Sequence, residues 1–308
     1  MRGLLRIGWA LLALVRPVCA DDAVLPGWSG PRAMSDIVRQ LEFGPRALDL
    51  PGHQKEIDYI LQSLATTKAK VDLQSWTEHR PDGHLASLSN IIARFDPENP
   101  RRILIGSHFD SIVRAYRDRE KPNAVMPGAN NSASGVALLL ETARALSDAG
   151  HRPALGVDLV FFDGEEGPLA LGAGDPHWRP LGSPYFVEQL QQFYPSDRPL
   201  QVLVFDMVCY RALTLRPEPL SLAQAAAQTQ KFWSLGRALA PKIFRGDAFS
   251  APIYDDQVAF ARIGIPSFLV IGFDYEPWFN TSLDDIDKCA PASLEAVGQT
   301  LLHYLYLQ

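Results

Sequence analysis

Three short apolar runs in this chain each end in side chains able to hold a cation or move a proton. Residues 103–107 lead into His108, Phe109 and Asp110, residues 157–162 into Asp163, Gly164, Glu165 and Glu166, and residues 200–205 into Asp206. An acidic pair, Asp255 and Asp256, comes later. Imidazole and carboxylate groups are what hard and borderline cations take as ligands, and carboxylates gathered on one rim without a cation repel one another. A lone strand-end Asp or Glu is better explained as a helix cap. Its recurrence after three runs is what points to a site.

The elements that must position these groups follow from periodicity. Runs 103–107, 157–162, 200–206 and 267–271 are rich in branched and aromatic residues and read as strands buried on both faces. Helical patterns lie at 134–149, 185–193, 222–239, 256–263 and 292–307, while 96–102 and 113–128 read as surface loops. Strands alternating with helices predict an α/β fold in one domain: a mostly parallel central sheet with helices on both faces, and ligands outside the carboxyl ends of the strands.

With its motifs in order, the chain resembles the M28 family of zinc peptidases, and most of all its glutaminyl-peptide cyclotransferase branch. The resemblance runs from Phe43-Gly44-Pro45-Arg46 to the C-terminus. It is carried by Ser107-His108-Phe109-Asp110, by the segment from Gly128 to Gly135, by Phe161-Phe162-Asp163-Gly164-Glu165-Glu166-Gly167 and by Gly182-Ser183. Asp206-Met207-Val208, Tyr254-Asp255-Asp256 and Asn280-Thr281 followed by Asp284-Asp285 complete it.

The resemblance implies the zinc aminopeptidase, or phosphorylase-hydrolase-like, fold and a site acting on peptide or protein N-termini. In the cyclase branch one zinc is held by an Asp in the 128–135 loop, by the second Glu of the pair, here Glu166, and by a late His. Zinc polarises the side-chain amide of an N-terminal glutamine, and the first Glu, here Glu165, moves the proton. Asp206 and one of Asp255 and Asp256 match acidic residues that orient that Glu and the substrate. In two-zinc aminopeptidases the matches of His108 and Asp206 join the metals, and Asp110 supports from behind. Trp178, Trp278 and Phe279 are expected to line the substrate pocket.

This chain departs from the pattern at the metal. Asn131 stands at the loop Asp position, Asn280 at the late His position, and Gln257 where the family has a His after the Asp pair. An asparagine offers a neutral carbonyl oxygen in place of an anion or imidazole, and enzyme zinc sites keep three protein ligands of the His, Cys or carboxylate type. Zinc held weakly or not at all is the expectation. Plainer readings stand beside the catalytic ones. Glu165 and Glu166 read equally as a solvated acidic pair at a helix start, His108 as a hydrogen-bonded strand-end histidine, Asp110 and Asp206 as turn or cap residues, and the Trp and Phe residues as core. The glycosylation patterns at Asn130 and Asn280 would sit in the cleft floor and read as accidental.

The rest of the chain bounds the setting. A net charge of −6 gives no basic face for nucleic acid or anionic lipid. Residues 1–20 read as a signal peptide: Arg2 and Arg6, an apolar run over 7–15 too short for a bilayer, and small residues ahead of Asp21. The mature domain is then 21–308, a secreted or periplasmic monomer with no membrane anchor. Cys19 before that boundary is a poor match to a lipid-attachment signal. Cys209 and Cys289 remain, and in a domain this large they read as buried free thiols. Two functions follow: a secreted metalloenzyme of the cyclase or aminopeptidase type, or a catalytically silent relative that binds peptides or serves as an interaction scaffold.

Overall fold

The computed structural model describes residues 25–80, 83–167 and 178–308. Residues 1–20, expected to be a signal peptide, lie outside them. Among the described residues six strands form one sheet: β1 (Lys70–His79), β2 (Leu85–Phe95), β3 (Arg102–His108), β4 (Gly156–Phe162), β5 (Gln201–Asp206) and β6 (Ser267–Ile271). Their order is β1-β2-β4-β3-β5-β6. β2 is antiparallel to both neighbours, whereas β4, β3, β5 and β6 run parallel. Every residue of β3, β4, β5 and β6 is buried. Both faces must therefore be apolar, which is why these strands read as continuous runs without alternation.

The helices are α1 (Gly30–Leu41), α2 (Pro51–Leu64), α3 (Ala133–Asp148), α4 (Gly182–Glu188), α5 (Pro219–Gln224), α6 (Ala226–Leu239), α7 (Gln257–Arg262) and α8 (Pro291–Tyr306). One sheet face packs Ile103, Ile105, Leu159, Phe161, Leu203 and Phe205 against α1, α2, α3, α6 and α8. The other packs Leu104, Val160, Phe162, Val202 and Val204 against Phe186 of α4 and Phe260 of α7. The result is a single α/β domain, mostly parallel and covered on both sides.

Several expectations are corrected. The expected helix 222–239 is two, because Ala225 leaves helical geometry between α5 and α6. The expected helix 185–193 is α4 followed by a 3-10 turn at Leu190–Gln192. The hairpin β1–β2 and helices α1 and α2 had no counterpart in the sequence reading. Cys209 and Cys289 form a disulfide, where free thiols were expected. The chain just after β5 runs antiparallel to the segment ahead of α8, with Ala290 N–H donating to Cys209 C=O at 2.8 Å. That pairing brings the two Cα atoms to 4.7 Å, within disulfide reach.

Candidate functional site

Parallel strands end on the same rim, so His108, Asp163 and Asp206 arrive together at the carboxyl edge of β3, β4 and β5. The loop 128–132 closes over that edge and is pinned from three sides. Arg46, fully buried, donates to the carbonyls of Pro127 at 2.8 Å and Gly128 at 2.7 Å. Asp284 accepts the N–H of Asn130 at 2.9 Å, the N–H of Asn131 at 3.0 Å and the hydroxyl of Tyr275 at 2.6 Å. Asn130 Oδ1 accepts the N–H of Cys209 at 3.0 Å. Gly128 has φ +71°, and a Cβ there would meet the carbonyl oxygen of Asn131 at 2.5 Å, so the turn requires glycine.

On the facing loop, Asp110 places the Glu pair. Its two carboxylate oxygens accept the successive N–H groups of Glu165, at 3.0 Å, and Glu166, at 3.1 Å. These glutamates lie in a buried turn, which overturns the reading of them as a solvated pair at a helix start. Trp178 Nε1 donates to the Glu165 carbonyl at 3.1 Å and stands over it.

A cavity of about 550 Å³ opens above these groups. Asn131, Glu165, Glu166, Asp206, Asp255 and Asn280 make its polar floor, and Trp178, Met207, Phe249, Ile271, Phe273 and Phe279 its apolar walls. Asn131 donates Nδ2 to Glu166 Oε1 at 2.7 Å and to Asn280 Oδ1 at 3.1 Å, and Asn280 donates Nδ2 to the Tyr116 hydroxyl at 3.3 Å. The three positions that match zinc ligands in the resemblance thus bond to one another. Among the described residues, no group of three or more His, Cys, Asp or Glu is arranged as metal ligands.

Other expected site residues lie outside the cavity wall. His108 is beneath the floor, bonded through Nε2 to Asp206 at 3.3 Å and through Nδ1 to the Asp110 carbonyl at 3.1 Å. Asp256 is buried behind Asp255 and accepts the Ser183 hydroxyl at 2.5 Å. Gln257 turns away and donates to the Ile253 carbonyl. Trp278 packs in the second core with Lys288 over its ring at 4.6 Å, which corrects its placement in the pocket. Asn130 and Asn280 are buried, so neither glycosylation pattern is accessible.

Burial dominates the electrostatics. It raises the carboxyls of Glu165 and Asp255 well above the ordinary range, with neighbouring carboxylates pushing the same way against the pull of His108. Burial raises Glu166 to about 8 and Asp256 to about 7. Burial also opposes charge on His108, but hydrogen bonds to Asp110 and Asp206 and the nearby Glu165 outweigh it, so its pKa is raised.

Sequence reading missed Tyr116 and Arg117, which it left in a surface loop. The loop folds back because Ala115 and Met126 bury in a small cluster with Ile112, and Arg117 N–H donates to the Asn280 carbonyl at 3.2 Å. It also missed the extended wall 249–254. Neither carries a local signal: both reach the site through tertiary contacts alone.

Comparison with known proteins agrees with this geometry. Residues 90–305 match the model of peptidase family M28. Glutaminyl-peptide cyclotransferase of Bos taurus is 24% identical over 289 residues, covering 83% of this chain and 78% of that protein. The crystal structure of Tannerella forsythia glutaminyl cyclase superposes with a TM-score of 0.82 at 28% identity, over 92% of this chain and 100% of that one. A Zn-dependent exopeptidase from Parabacteroides distasonis gives a TM-score of 0.84 at 28% identity, over 92% and 100%. The family match spans more than half of the chain, and the chain belongs to peptidase family M28.

Proposed function

We propose that this protein is an exported M28 relative that binds peptide amino termini in the cavity above Glu165 and has given up the zinc-dependent reaction. One observation carries the reading: Asn131 turns its amide N–H groups toward both Glu166 and Asn280. Zinc takes lone pairs from carboxylate, imidazole or thiolate, and an N–H offers none. Of the three matching positions only Glu166 keeps a ligand-type side chain, and the family's metal does not fit this set.

The cavity still suits an amino terminus. A peptide ammonium brings three donors and a positive charge to a floor rich in acceptors, with aromatic walls for the first side chain. Export is supported by the N-terminal segment and by the Cys209–Cys289 bridge, since disulfides persist in oxidising compartments. Among the described residues no helix is long and apolar enough to cross a membrane.

A second reading, an enzyme working with an unusual metal, draws on the retention of Glu165, Asp206 and Asp255 on the cavity floor. Elemental analysis of the purified protein, turnover of glutaminyl and aminoacyl peptides, and calorimetric titration with free and N-acetylated peptides separate the two. Binding that requires the free terminus, without metal or turnover, is the expected result. Stoichiometric metal with turnover would establish the second reading instead.

A further inference from the structure

A second cavity, of about 330 Å³, lies between α6 and the segment that follows Phe244. The helix gives it one stripe of its surface, since Thr229, Trp233 and Arg237 recur every four residues. Gly236 lets α6 come close: a Cβ there would meet the Phe244 ring at 2.4 Å. Arg245 follows on the facing wall, held by its N–H donating to the Leu215 carbonyl at 2.8 Å. Arg237 reaches that same wall, its Nη1 standing 3.5 Å from where a Cβ on Gly246 would be.

Two cations thus share a small cavity that no acidic residue lines. Neither guanidinium has a hydrogen bond or ion pair among the described residues, and neighbouring Asp247 is engaged by Arg216 at 3.3 Å. Trp233 adds a third unmet donor. It is 3% exposed, and its Nε1 is buried without an acceptor among the described residues, whereas the indoles of Trp28 and Trp178 both find one. Pro217 and Leu222 give the cavity an apolar side.

We infer that this cavity is an anion site that takes a small organic phosphate monoester. Guanidinium and indole N–H groups only donate, so the ligand must bring acceptors and negative charge. A phosphate monoester carries roughly two negative charges at neutral pH and three acceptor oxygens, which match Arg237, Arg245 and Trp233. A carboxylate brings one charge and two oxygens. The apolar side receives the organic group on the ester oxygen, which inorganic phosphate lacks, and a cavity at the small end of ligand sites limits that group to a ring or short chain. The inference does not depend on what the cavity above Glu165 binds.

The test is calorimetric titration of the full mature chain with phenyl phosphate, inorganic phosphate and benzoate. Phenyl phosphate is expected to bind one per chain, at least about tenfold more tightly than either of the others. Arg237→Gln and Arg245→Gln change exposed side chains and leave the core intact, and each should weaken phenyl phosphate binding by about tenfold or more. Trp233→Phe keeps a ring and removes the N–H, and should weaken it less than either arginine change. Unchanged binding in both arginine variants overturns the site, as does failure of phenyl phosphate to bind the unaltered protein at millimolar concentration. Equal affinity for benzoate or for inorganic phosphate overturns the assignment to an organic phosphate.

Discussion

Asn131 and Asn280 are joined by a single hydrogen bond of 3.1 Å, and Asn280 holds φ +53°, in the left-handed region. Asn, Asp and His are the non-glycine residues most at home there, so Asn280→His is compatible with the backbone. The double change Asn131→Asp and Asn280→His sets carboxylate, carboxylate and imidazole around one point, the three-ligand pattern of catalytic zinc. It is expected to bind zinc stoichiometrically by elemental analysis, while each single mutant binds little. Asn131→Asp alone removes the amide N–H that Asn280 Oδ1 accepts and leaves that buried oxygen without its donor, lowering stability by about 1–3 kcal/mol. A folded double mutant that stays metal-free would show that supporting groups around the ligands have diverged as well.

Asp284 is the anchor of the 128–132 loop, and burial raises its pKa to about 6 despite the hydrogen bonds from Tyr275, Asn130 and Asn131 that hold it down. Asp284→Asn keeps one acceptor oxygen and presents an NH₂ where an N–H must be received. The expected cost is about 1–3 kcal/mol for the unpaired backbone group, read from urea unfolding, together with weaker peptide binding. A variant with unaltered unfolding would mean the loop is held without this carboxylate.

Glu56 of α2 gives the clearest pH dependence. It is fully buried, neither oxygen has a hydrogen-bond partner among the described residues, and burial raises its pKa from 4.5 to about 8 even though Arg46 pulls it down. Between those values the folded chain keeps a proton that the unfolded chain has released. Its contribution is therefore complete below about pH 4.5 and is lost as pH rises through about 8. Glu56→Gln removes the titration, so the difference in stability between mutant and parent should move in the mutant's favour from pH 5 to pH 9, by a few kcal/mol. Parallel stability curves for the two proteins would count against it.

The Cys209–Cys289 bridge closes a loop spanning 80 residues. In the chain-entropy account such a link contributes roughly 4 kcal/mol through the unfolded state. Paired Cys→Ser substitution should lower the denaturation midpoint accordingly and render it insensitive to reductant. Retention of the parent midpoint would show that the link contributes nothing.

What the sequence disclosed follows from burial. β3, β4, β5 and β6 were legible because both their faces are covered, so each is an unbroken apolar run. β1 reads Lys-Val-Asp-Leu-Gln-Ser-Trp-Thr-Glu-His and is largely exposed at the sheet edge, where nothing obliges it to be apolar. Its strand character comes from pairing with β2, which no local pattern records. At the site, the family resemblance is what pointed to Asn131, Glu166 and Asn280 as one group, and the three are hydrogen-bonded to one another. Trp278 and Phe279 are neighbours in sequence, yet only Phe279 faces the cavity. Which way a loop residue turns is decided by partners such as Lys288 that are packed against it only after folding.

The amides that join Asn131, Glu166 and Asn280 belong to the chain itself, whereas an ion has to be delivered. A pocket whose floor depends on zinc is assembled in two stages and competes with every other ligand for the ion. Here the floor is finished when the polypeptide is, at a ratio of one per molecule that no chelator can alter and no shortage can lower. On the function proposed above, peptide binding by this chain is expected to be the same with and without a chelator in the buffer.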